Sequence, residues 1–264
     1  MTILEEIIAH KLQETERSRS EKPVQFLERS RLFKRATVSL AGSVTDPAKT
    51  GIIAEFKRKS PSKGVINDRA TLEEVVTGYF RSGASGISIL TDLEYFGGTM
   101  HDLMRARELT PVPILRKDFV VDEYQIIESK AIGADAVLLI AAALDPGRVK
   151  KLAGLAATLG LQVLLEVHRE EELECMNEHV TMVGVNNRDL NTFVVDTEVS
   201  VRLAEKIPPG FIKISESGIN TTWAIKQLKG CGYQGFLMGE SFMRAPEPAV
   251  AFSDFVKLML FEND

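Results

Sequence analysis

The sequence predicts an α/β protein of the (β/α)8 TIM-barrel class with an N-terminal helical extension. Three observations carry that prediction. From residue 51 onward, eight short apolar runs rich in β-branched residues alternate with longer stretches of helical period. Most runs stay apolar until their last one or two residues, the pattern of parallel strands covered on both faces. Glycine recurs just before a new strand, at Gly83, Gly133 and Gly160, where a helix turns back toward the sheet. Eight such units close a barrel. An open doubly wound sheet is the alternative, but no GxGxxG follows the first strand.

The elements follow in order. Residues 1–50 stand outside the rhythm: Ile3, Ile7, Ile8 and Leu12 are expected to form one helical face, and SLAGSVTDPAKTG (39–51) reads as a loop entering the barrel. This extension is expected to pack over one end of the barrel, with a substrate-covering role as the alternative. The strands are GIIAEFK (51–57), GISILTD (86–92), VPILRK (112–117), AVLLIA (136–141), QVLLEV (162–167), MVGVNN (182–187), FIKISES (211–217) and GFLMG (235–239). Helices between them include TLEEVVTGYFRSGA (71–84), DEYQIIESKAIGA (122–134) and PGRVKKLAGLAATLG (146–160), each with apolar residues three and four apart and a glycine stop. No low-complexity segment or long linker interrupts them. Residues 1–264 are therefore expected to form a single barrel domain, with 1–50 as its extension.

Composition narrows the function. The chain has 264 residues, 44% hydrophobic and 26% charged, which suits a soluble globular protein with a sizeable core. A net charge of −5 offers no general affinity for nucleic acid or membrane, so an anionic ligand needs a local positive site. No apolar run reaches the roughly 20 residues of a bilayer span, and the acidic N-terminus has no secretory signal pattern. Cys175 and Cys231 lack CxxC spacing and read as lone thiols in a cytoplasmic chain. His10, His101, His168 and His179 show no metal-ligand spacing, so no metal is expected; His168 reads as a loop or surface residue.

In such barrels the chemistry sits at the C-terminal ends of the strands. Alternation puts residues i and i+2 on one face, so Glu55 and Lys57 share the end of strand one and Leu115 and Lys117 that of strand three. Strand five ends in Glu166, strand six in Asn186 and Asn187 followed by Arg188, and strand seven in Glu216, Ser217 and Gly218. Inward charges are costly unless paired or used. A purely structural ring of Lys57 and Lys117 against Glu55, Glu166 and Glu216 is the alternative, and such rings rarely outdo apolar packing. Ser217-Gly218-Ile219 and Met238-Gly239-Glu240-Ser241, after the last two strands, are where barrels frequently bind phosphate through backbone N–H groups. KSPSKG (59–64) reads as a flexible first loop, with Ser60 facing the site, Lys63 solvated, and Arg58 and Lys59 at the surface.

AEFKRKSPSKG, TDLEYFGG (91–98), LRKDF (115–119), LLEVH (164–168), GVNNRDL (184–190), SESGI (215–219) and FLMGE (236–240) together resemble the indole-3-glycerol phosphate synthase family, in order and at family spacing over nearly the whole chain. The resemblance implies a tryptophan-pathway carboxy-lyase. Its substrate would be 1-(2-carboxyphenylamino)-1-deoxyribulose 5-phosphate, closed to indole-3-glycerol phosphate with loss of CO2 and water. It implies general acid–base chemistry with no cofactor and no metal. The implied partner is a phosphorylated small molecule, with no nucleic acid or membrane, and the chain is expected to be a monomer or weak homo-oligomer.

Residue by residue, the resemblance implies Lys117 as general acid, Glu166 as a carboxylate in the proton traffic, and Lys57 on the substrate carboxylate or assisting dehydration. Which amine serves which step stays open. Glu55 would stabilise charge at the anilino nitrogen, and Asn186, Glu216 and Ser217 would orient the substrate. Ser60 and Arg188 would contact its carboxylate and hydroxyl end. Phe96, Phe119, Leu190 and Ile219 would wall the aromatic ring. Gly218, Gly239 and Glu240 would offer N–H groups to the phosphate, with the Glu240 side chain turned away; Asn187 is given no role. Two rival readings are a phosphosugar isomerase using Glu55 and Glu166, which leaves both lysines without work, and a non-catalytic barrel, which leaves all the inward charges without work.

Overall fold

The computed structural model describes residues 2–190 and 192–261. All eight expected strands form: β1 Ile52–Phe56, β2 Gly86–Leu90, β3 Ile114–Lys117, β4 Ala136–Ile140, β5 Gln162–Val167, β6 Met182–Asn186, β7 Ile212–Glu216 and β8 Gly235–Met238. Each is parallel to its sequence neighbours, and β1 pairs with β8 to close the barrel. The expected helices become Leu72–Arg81, Glu123–Ile132 and Pro146–Thr158. Among the described residues, no helix is long and apolar enough to cross a membrane.

Strand phase matches the alternation. Ile53, Leu115, Leu138, Leu164, Met182, Ile214 and Leu237 form one inner cluster, while Ile52, Ile114, Val137, Val163 and Val183 pack outward against the helices. Because Ile53 points inward, so do Glu55 and Lys57 further along the same strand. The register then sets Glu55 beside Ser88, Glu166 beside Gly184 and Asn186 beside Glu216.

The extension departs from expectation in three ways. Its first helix, α1 (Ile3–Glu21), opens with a capping box between Thr2 and Glu5. The buried positions of α1 are Ile7, Lys11 and Thr15, whereas Leu12 is 52% exposed. The buried stripe therefore runs through a lysine instead of through the most apolar residues, because that lysine has carboxylates to meet. After α2 (Val24–Leu27), the segment read as a loop contains α3 (Leu40–Thr45), capped by Ser39. Leu40, Ala41 and Val44 of α3 join the inner cluster from the N-terminal ends of the strands. The extension thus touches both ends of the barrel, α1 at the C-terminal mouth and α3 at the other. Between them, buried Asp135 accepts from Arg35 and Arg107 at 2.6 Å each and from the backbone N–H groups of Val38 and Ile114 at 2.8 Å each. The first loop is also more ordered than expected, because Lys59–Ser60 pairs antiparallel with Gly64–Val65.

Candidate active site

The strand ends converge on a cleft with two lobes. One is apolar, lined by Ile3, Leu4 and Ile7 of α1 together with Phe96, Phe119, Ile140 and Leu190. The other is polar, lined by Ser217, Gly218, Asn220, Gly239, Ser241 and Arg244. Glu55, Lys57, Arg188, Ser217, Leu237 and Glu240 border both. Lys117, Glu166, Asn186 and Glu216 line the apolar lobe near that junction, and Ser60 lies at its rim.

The inward charges meet in pairs. Lys57 Nζ donates to Glu55 Oε1 at 2.7 Å, and Ser88 Oγ donates to the other oxygen at 3.3 Å. Lys117 Nζ donates to Glu166 Oε2 at 2.7 Å and lies 3.5 Å from Glu216 Oε2. Burial opposes the charge on Lys117, but Glu166, Glu216 and Glu55 outweigh it and keep the ammonium protonated. Burial also works against the Glu166 carboxylate, yet Lys117 and then His168 prevail and hold its pKa well below the usual range. For Glu216 burial wins, reinforced by Glu166 and Glu55, and the carboxyl is pushed up to about 8. Two adjacent carboxyls are thereby driven apart, one ionised and one neutral near pH 7.

Gly184 makes this possible. A Cβ there would stand 2.2 Å from Glu216 Oε1, so the bare backbone of β6 leaves the space that the carboxyl occupies. A lone glycine in the apolar run MVGVNN was the available signal for it. Gly239 acts similarly: its Cβ would lie 2.6 Å from that of Glu55, so this glycine serves the packing of β8 on β1 as well as any ligand.

Several expected residues sit differently. Ile219 is buried in the outer core and borders the polar lobe, away from the apolar wall assigned to it. Phe193, together with the α1 residues, completes that wall, and no strand pattern pointed to either. The Glu240 side chain does not turn away from the cleft: it accepts from Arg188 Nη2 at 2.8 Å and pairs with Arg244 at 2.7 Å, which neutralises its charge. His168 is not a surface residue; it is largely buried, with Nε2 3.5 Å from Glu166 Oε1. Asn187, given no role, is buried and donates to Ser215 Oγ and Ser217 O while accepting from Ser200. It thereby secures Ser217, whose φ of 66° lies in the left-handed region.

Arg58 also differs. It points outward, as the strand phase requires, but it is no free surface charge. Its guanidinium makes two bonds to the buried Asp102 carboxylate, at 2.7 and 2.8 Å, and lies over the Phe56 ring. Arg58→Ala should therefore lower stability by about 1–3 kcal/mol in denaturant melts, because Asp102 loses its partner. Activity should stay near wild type. Loss of turnover at unchanged stability would show that Arg58 acts in the cleft.

Cys175 and Cys231 are free thiols. Among the described residues, no group of three or more His, Cys, Asp or Glu could hold a metal ion.

Fold and site define a (β/α)8 barrel with a buried Lys/Glu cluster at the mouth of a cleft that has an apolar and a polar lobe. A family model described as indole-3-glycerol phosphate synthase matches residues 4–255. A protein of that name from Bacteroides thetaiotaomicron is 47% identical over 262 residues, covering 97% of this chain and 98% of the relative. Another from Polaromonas naphthalenivorans is 40% identical over 256 residues, 96% of this chain and 97% of the relative. One from Salinibacter ruber is 41% identical over 256 residues, 96% and 94% respectively. The chain belongs to the indole-3-glycerol phosphate synthase family, carboxy-lyases of tryptophan biosynthesis. A solved chain titled "Native KDPGal structure" matches with a TM-score of 0.58 at 12% identity, over 81% of this chain and 95% of that one; this is a likeness of fold alone.

Proposed function

We propose that this chain closes 1-(2-carboxyphenylamino)-1-deoxyribulose 5-phosphate to indole-3-glycerol phosphate with Lys117, Glu166 and Lys57 as its proton-transfer groups. The observation that carries this reading is the Lys117–Glu166–Glu216 cluster beside an apolar lobe, with a polar lobe adjoining. The aromatic ring goes to the apolar lobe against Phe96, Phe119 and Leu190. The phosphate goes to the backbone N–H groups of Gly218, Gly239 and Glu240 in the polar lobe.

Ring closure forms a bond from the ring carbon bearing the carboxylate to the ketone carbon. The ketone π electrons move to oxygen, which takes a proton from Lys117. An ammonium held by carboxylates is a reluctant donor to water, but a developing alkoxide is far more basic and draws the proton. The bond to the carboxylate then breaks, its electrons restore the ring, and CO2 leaves. Dehydration expels the new hydroxyl as water and removes one proton, which the ionised Glu166 accepts; Lys57 protonates the departing oxygen. Substrate thus gives product, CO2 and water in equal number. Glu55 stabilises positive charge at the anilino nitrogen, Asn186 and Ser217 orient the chain, and neutral Glu216 donates to a substrate hydroxyl. Ser60 and Arg188 serve the carboxylate and hydroxyl end. The isomerase reading gives Lys117 no function, although this lysine is the hub of the cluster.

The test supplies that substrate to the folded protein and follows indole fluorescence together with CO2 release. Equimolar indole product and CO2 are expected. No indole product at micromolar protein would sink the synthase reading.

A further inference from the structure

We propose that Lys11 is a positioning residue for this reaction, tying together from α1 the two segments that carry Phe96 and Phe119 and so setting the width of the apolar lobe. The inference deepens the proposed function, since it rests on the apolar lobe holding the aromatic part of the substrate.

Lys11 is 1% exposed, among the most deeply buried large side chains of the protein. Its Nζ lies 2.8 Å from Asp92 Oδ2, 3.0 Å from Asp118 Oδ1 and 2.7 Å from Glu14 Oε2. The two aspartates are placed to steer rings. Asp92 caps the short helix Leu93–Phe96 by accepting from Tyr95 N at 2.7 Å, so its position fixes where Phe96 begins. Asp118 lies between Lys117 and Phe119 and accepts from Phe119 N at 2.9 Å. The rings of Phe96 and Phe119 face each other across 6.1 Å between centroids. One ammonium from the extension therefore bridges the carboxylates that seat both rings.

The same turns of α1 reach the lobe directly. Leu4, Ile7 and Lys11 follow helical spacing along one face, and Leu4 and Ile7 line the apolar lobe two turns and one turn before the bridge. Asp118 has further partners in Arg116 at 3.0 Å and Thr91 at 2.6 Å, and Arg116 is tied to Glu128 at 2.9 Å. The Asp92 carboxylate has only the Tyr95 N–H besides Lys11 among its described contacts, so it is the group freed when Lys11 goes. Without the bridge, the loop after β2 swings away from the loop after β3 and the lobe widens.

A buried ion pair is weak evidence for stability, since apolar replacements often hold a fold equally well. Stability and positioning are separable here. Lys11→Met removes the bridge and leaves a carboxylate unpaired. The double variant Lys11→Met/Asp92→Asn removes one cation and one anion together, and Asn keeps the helix cap.

Both variants and the wild type are compared for thermal midpoint, KM and kcat. The expected result is a lowered midpoint in Lys11→Met that recovers in the double variant. KM should rise about ten-fold in both, with kcat within about three-fold of wild type. KM that recovers along with the midpoint would overturn the proposal, leaving Lys11 a purely structural residue. So would failure of both variants to fold. The wild type assayed in parallel reports on the reaction itself: no product there sinks the proposed function, while wild-type KM in the double variant sinks only the role of Lys11.

Discussion

Lys117→Ala is expected to lower kcat by at least about two orders of magnitude, the range for loss of one acid–base group, while the barrel stays folded. The substitution removes the ammonium that touches both Glu166 and Glu216. Deleting one partner of a buried pair ordinarily costs several kcal/mol. Here the loss is limited, because Glu166 can take up a proton once its counter-charge is gone. Far-ultraviolet circular dichroism should therefore match wild type near neutral pH, while single-turnover formation of indole product slows. Near-normal turnover in a folded variant would refute the role of Lys117 as the acid of ring closure.

Glu166→Gln should likewise lower kcat by about 10²-fold or more, and it should also change how stability depends on pH. In the wild type, Glu216 titrates at about 8 in the folded chain against an ordinary value of 4.5, so the native state holds one extra proton between those values. Stability from this group is greatest below 4.5 and is lost as pH rises toward 8. Glu166 has the opposite sign, because its lowered pKa adds stability above 4.5 that is lost as pH falls. Replacing Glu166 removes a negative neighbour that helps raise Glu216. The thermal midpoint should then decline over a narrower interval, ending at a lower pH. An unchanged midpoint profile from pH 5 to 9 would mean that the two carboxyls are not coupled.

Both predictions depend on residues that the strand pattern alone picked out. Alternation is local: if Ile53 is inside, Glu55 and Lys57 are inside, whatever closes the barrel around them. The same holds for Leu115 with Lys117 and for Leu164 with Glu166. Glycine stops and apolar runs likewise marked all eight strands to within two residues at each end. The family resemblance added identities to positions that the alternation had already turned toward the cleft.

What the pattern left unread depends on contacts between residues far apart in sequence. Lys11 breaks the apolar face expected for α1, and only the docking of that helix on Asp92 and Asp118 explains its burial. Arg58 passes for a surface charge until the helix carrying Asp102 is seen behind it. Ile219 has the apolarity expected of a ring wall but faces the outer core, because the left-handed turn at Ser217 and Gly218 redirects the chain. By itself, the sequence determined which side chains point into the barrel, since that follows from bond geometry along each strand. Only the tertiary structure decided which of those charges meet, which carboxyl stays neutral and which helix roofs the cleft. Those outcomes depend on distances and desolvation that exist only once the barrel has closed.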